Sequence, residues 1–251
     1  MIEPFVVVLT TVWVADLFWA LAIAALAGLV LGFTGFGGAL VMMPLMAILY
    51  GPVEALGLMG ISTFLASLPI GWTAARETNW PEVGPMVFAL IFAVPMGMIF
   101  LFYFDPVVIK RVIGVSVISA TIILYWGWVY KGPRNAVMGA ISGGLCGWLT
   151  GFSGIGGPPA VVYILASGDS AAVQRSGIVM ISATVMGALL ASLIWNEVLT
   201  PEIVARGILI TPIQVIGAKV GEKLFHLAPD RFFRRVALWT LMFAGIAAMV
   251  A

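Results

Sequence analysis

The sequence predicts an all-α polytopic membrane protein made of two homologous repeats. Three observations carry that prediction. Of 251 residues, 62% are hydrophobic and only 9% charged. The apolar residues fall into runs long enough to cross a bilayer. A seven-residue glycine-rich motif occurs twice. Soluble domains carry about 25% charged residues, so a chain with a mean hydropathy of +1.14 must turn most of its surface to lipid. A net charge of +1 leaves no basic footprint for a nucleic acid. The single cysteine, Cys146, cannot form an intrachain disulfide and reads as a small buried hydrophobe. The start, Met1-Ile2-Glu3-Pro4, lacks the positive region of a secretory signal, so 5–31 is read as mature protein.

A membrane helix needs roughly 20 apolar residues. Long runs lie at Leu17–Phe33, Val53–Ala75, Val83–Phe104, Val107–Tyr130, Ala136–Phe152, Ala171–Trp195, Ile203–Phe225 and Phe232–Ala251. Two shorter runs, Ala39–Tyr50 and Ala160–Ala166, each follow a glycine cluster. The expectation is therefore about eight transmembrane helices plus two half-helices, or a ten-segment inverted repeat if the short runs cross. The positive-inside rule serves both counts about equally. Apolar residues all round each run argue against a β-barrel, whose strands alternate. Polar turns at 76–82, Asp105-Pro106, 131–134, 196–202 and 228–230 separate the runs, with Trp80, Trp126, Trp128 and Trp195 close by as interfacial anchors.

The duplication is the strongest signal. Gly32-Phe33-Thr34-Gly35-Phe36-Gly37-Gly38 matches Gly151-Phe152-Ser153-Gly154-Ile155-Gly156-Gly157 with an offset of 151 − 32 = 119. Lys110-Arg111-Val112 echoes Arg234-Arg235-Val236, each after an Asp/Pro turn. A single transmembrane domain over residues 1–251 then holds repeats of about 15–130 and 134–251. So many glycines make a poor continuous helix, each costing about 1 kcal/mol relative to Ala. A broken helix in lipid is tolerated only where protein or a water-filled cavity meets its backbone. A half-helix following each break begins with unpaired N–H groups and a positive dipole end, which suit an anion. Thr34 and Ser153 add hydroxyls. Paired glycine breaks in two halves point to the central site of a transporter. Close helix packing at small residues is the plainer reading, and both can hold.

Polar residues inside spans are functional candidates. Arg175 could neutralise an anion and Gln174 donate to it. Ser182 lies about two turns beyond Arg175 on the same face, and Thr63 occupies the equivalent position in the first repeat, 119 residues earlier. Gln214 is a weaker candidate, with a helix–helix hydrogen bond as its alternative. Lys219, Glu222 and Lys223 read as an interfacial ion pair, Arg206 as an interfacial charge, and Asp16 and Glu54 as acids suited to helix starts. His226, the only histidine, falls at a span end.

The paired glycine motifs, the prolines after them (Pro44; Pro158-Pro159) and the Asp/Pro turn with basic residues resemble the sulfite exporter TauE/SafE family over about residues 15–251. The resemblance implies transport of sulfite, sulfonates or related small anions across a prokaryotic cytoplasmic membrane. It carries over Gly35, Gly37 and Gly38 with Gly154, Gly156 and Gly157 as site residues. No cofactor or metal and no catalysis are implied. The expected partners are a small anion and the lipid bilayer, and assembly as a homodimer is left open. Two other readings compete with transport. A passive anion channel would lack saturable, gradient-coupled flux. An intramembrane serine protease would use the Gly-x-Ser-Gly at 151–154 with His226, but the first repeat spells the same pattern with Thr34 and has no histidine, so duplication explains it.

Overall fold

The computed structural model describes residues 15–34, 37–126 and 130–227. Among them are nine α-helices and no strand: α1 Ala15–Thr34, α2 Gly38–Tyr50, α3 Pro52–Glu77, α4 Trp80–Tyr103, α5 Pro106–Trp126, α6 Ala136–Ser153, α7 Gly157–Leu165, α8 Ala171–Trp195 and α9 Pro201–Leu227. Six of these, α3 to α6, α8 and α9, are long and apolar enough to cross a membrane. The apolar stretches of α1 (Asp16–Gly32) and α2 are shorter. The expected last span, Phe232–Ala251, and Trp128 lie outside the described residues, as do Arg234 and Arg235.

Local chemistry sets the helix ends. Proline opens α3, α5 and α9, where its missing N–H costs nothing. Asp105 accepts from Val107 N at 2.9 Å and Asn135 from Met138 N at 2.9 Å, capping α5 and α6. Gly51 alone joins α2 to α3, and its φ of +83° requires glycine.

Both faces of the spanning helices are apolar. On α4, Met86, Leu90, Val94 and Leu101 are buried, while Phe88, Phe92, Met96 and Ile99 are exposed on the other side. Water would penalise that second face; lipid does not. Trp80, Trp126 and Trp195 are exposed at helix ends, as interfacial anchors are.

Glycines let the helices touch. A Cβ at Gly32 of α1 would stand 1.9 Å from Ala218 O of α9, and one at Gly151 of α6 would stand 2.1 Å from Val94 O of α4. Backbones this close are the small-residue packing that membrane helices use in place of a hydrophobic driving force. The glycine motif therefore divides. Its first members, Gly32 and Gly151, lie within α1 and α6 and serve packing. In the second copy the chain leaves the helix only at Gly154, whose φ is +74°.

The ends of both half-helices carry an Arg–Glu–Tyr cluster. Arg206 pairs with Glu54 and lies 5.0 Å from the Tyr50 ring at the end of α2. Arg134 pairs with Glu82, donates to Tyr163 O at 2.7 Å and lies 4.5 Å from the Tyr163 ring on α7. A cation at a helix C-terminus complements the dipole. Arg206, read from sequence as an interfacial charge, and Glu54, read as an acid suited to a helix start, are thus partners. Arg134→Leu leaves Glu82 and the Tyr163 carbonyl without their donor. It is expected to cost about 2 kcal/mol, readable as a melting temperature several degrees lower in detergent.

Candidate functional site

The two half-helices start alike. Gly37 and Gly156 are their N-caps, with φ/ψ of −74°/−3° and −108°/−6°. Neither helix has a side-chain cap or an acid in its first turn. Gly154 closes α6 with its N–H on Thr150 O at 2.8 Å. A Cβ there would lie 2.8 Å from Met43 Sδ and 2.9 Å from Leu56 Cδ2, so the second break sits against α2 and α3. Ser142 Oγ donates to Pro159 O at 2.9 Å and fastens α7 to α6.

One cavity of about 60 Å³ joins these parts. Gly38 and Ala39 border it from α2, and Gly154, Gly156 and Gly157 from the second break. Thr63 of α3, Ser182 of α8 and Gln214 of α9 supply the other polar lining, with Thr150 and Cys146 of α6. A cavity needs roughly 10–15 Å³ to admit one water, so this space has room for water or a small ion.

Gln214 is fully buried. Its Nε2 donates to Thr63 Oγ1 at 3.3 Å, and its Oε1 has no hydrogen-bond partner. A buried amide oxygen left unpaired costs about 1–3 kcal/mol, so this one awaits a donor. Thr150 is already committed, with its hydroxyl on Cys146 O at 2.8 Å. The two breaks differ in donor supply. Pro158 and Pro159 remove two N–H groups from the first turn of α7, whereas Gly38, Ala39 and Leu40 keep theirs on α2.

The candidate residues from sequence are only partly brought together. Gly38, Thr63, Gly154, Gly156, Gly157 and Ser182 border the cavity. Ser153, Gln174 and Arg175 do not. Ser153 Oγ donates to Leu149 O at 2.9 Å within α6. Gln174 Nε2 donates to Ser167 O at 3.0 Å and steadies the turn before α8. Arg175 is exposed in the first turn of α8. Gly37 is buried beside the site as the N-cap of α2. Gly35 and the side chains of Thr34 and His226 lie outside what is described. Thr150 was missed in the sequence, and Cys146 is buried as expected but borders the cavity.

The profile of the family described as Sulfite exporter TauE/SafE matches residues 20–248. The match takes in every helix from α2 to α9, both breaks and all the cavity-lining residues. The chain belongs to the sulfite exporter TauE/SafE family. As a TauE/SafE protein with six helices fit to span, it is a multi-pass membrane protein of a transporter family. Comparison with curated proteins and with solved structures finds no match.

Proposed function

We propose that this TauE/SafE protein exports a small oxyanion of the sulfite type across the cell membrane. The anion is held where the two glycine breaks meet. The observation that carries the reading is the shared cavity, bordered by the starts of both half-helices and by Thr63, Ser182 and Gln214. Half-helix N-termini offer N–H groups and positive dipole ends to an anion. A space of about 60 Å³ suits a compact oxyanion better than a long organosulfonate.

Reciprocal contacts support reading the two halves as structural repeats. A Cβ at Gly57 would meet Ile203 at 2.6 Å, and one at Gly177 would meet Val83 at 3.2 Å. Adding about 120 residues to Gly57 and to Val83 gives 177 and 203, so the same contact recurs with the halves exchanged. Gly32 against Ala218 and Gly151 against Met98 form a second such pair. An exchange of this kind suits alternating access by rocking one half against the other around a fixed site.

The test is saturable uptake of labelled sulfite into proteoliposomes. Thr63→Val and Ser182→Ala each remove one hydroxyl from the lining and are expected to lower flux about tenfold at limiting substrate. Flux that never saturates, or is unmoved by both variants, would overturn the assignment.

A further inference from the structure

We propose that the site selects a singly charged oxyanion that still carries a proton, so hydrogen sulfite is the transported form and the sulfite dianion is excluded. This inference rests on the anion-site reading above and names the charge state of its ligand.

The lining is electrically neutral. Among the described residues, no Lys, Arg, Asp, Glu or His borders the cavity. Asp16 of α1, Glu54 and Glu77 of α3, Arg175 of α8, and Arg206 and Lys219 of α9 all stand outside it. Among the described residues, Cys146 of α6 is the one titratable side chain in the lining. Taking an ion out of water costs free energy that grows as the square of its charge. A dianion therefore pays about four times what a monoanion of the same size pays. Only hydroxyls, the Gln214 amide N–H and backbone N–H groups offset that cost here, and Pro158 and Pro159 reduce the last at α7.

Gln214 sharpens the choice. Its unpartnered Oε1 is an acceptor, and a fully ionised oxyanion has nothing to donate to it. A second acceptor brought up to that oxygen is repelled by it. Hydrogen sulfite carries one acidic hydrogen that can meet Oε1, while its oxygens face Thr63, Ser182 and the half-helix N–H groups. The second ionisation of sulfurous acid lies near neutrality, so the choice of form becomes a pH dependence.

The experiment is counterflow exchange in proteoliposomes with equal pH on both sides, using labelled sulfite, methanesulfonate and sulfate. Methanesulfonate is a monoanion without a proton throughout this range, so it reports any titration of the protein itself. Above neutrality the KM for total sulfite is expected to rise about tenfold per pH unit, with methanesulfonate flat and sulfate failing to compete. Gln214→Leu removes the acceptor and should lower sulfite exchange about tenfold more than methanesulfonate exchange. A sulfite KM that is flat or falls as pH rises, or effective competition by sulfate, overturns charge selection while leaving the transporter reading standing. Absence of exchange for both sulfite and methanesulfonate overturns the anion site and this inference together.

Discussion

Ala39→Asp is expected to abolish anion flux in a protein that still folds, while Ala39→Asn loses far less. Ala39 is the second residue of α2, borders the cavity and is half-buried. A carboxylate in the first turn of a helix favours the helix by about 0.3–1 kcal/mol, which offsets part of the cost of holding its charge at the cavity edge. The same carboxylate would stand beside the proposed anion site. At a separation of about 4 Å and an effective dielectric of about 20, the repulsion is about 4 kcal/mol. That is roughly a thousandfold in affinity. Asn has the size of Asp without its charge, so the pair separates repulsion from bulk. The readouts are sulfite uptake and thermal unfolding on the same preparations. Flux near wild type in Ala39→Asp would remove the anion from this end of α2. Equal losses in both variants would make the cavity a steric passage without a charge-sensing role.

Much of this arrangement is legible in the sequence, and what is hidden has physical causes. Helix positions follow from apolar runs and prolines, so α3, α6 and α8 fall within a few residues of expectation. The glycine breaks are visible because the seven-residue motif occurs twice, and the same offset links Thr63 and Ser182. Arg175 misleads because sharing a helix face is not sharing a depth. Seven residues on an α-helix are about 10 Å, which puts it an end away from Ser182. Ser153 and Gln174 have local backbone acceptors that satisfy them first. Gln214 is harder still, because its site exists only once α9 has packed against α1 and α3. The residue about 120 positions earlier is Val94, so the motif offset gives no hint. The sorting of motif glycines into packing and breaking is equally invisible, since it depends on which backbone lies opposite each one.

That sorting makes the sharpest stability prediction, on two adjacent residues of α6. Gly143→Ala is expected to destabilise the protein by more than about 2 kcal/mol, and Gly144→Ala to stabilise it by up to about 1 kcal/mol. A Cβ at Gly143 would lie 2.2 Å from Met86 O and 2.5 Å from Met86 Cα, both backbone atoms of α4 that no rotamer change can move. The two helices would have to part, and the neighbouring close approach at Gly147, where a Cβ would meet Leu90 O at 2.6 Å, would open with them. A Cβ at Gly144 would meet nothing within 4 Å, so only the gain in helix propensity remains. Urea or thermal unfolding in detergent reads both changes. Because the two positions are neighbours on one helix, lipid depth and local sequence are held nearly constant. The sign difference then reports only what stands opposite each Cα. Should Gly143→Ala prove harmless, α4 and α6 would not be in backbone contact, and the wall that α6 gives the cavity through Cys146 and Thr150 would be placed wrongly.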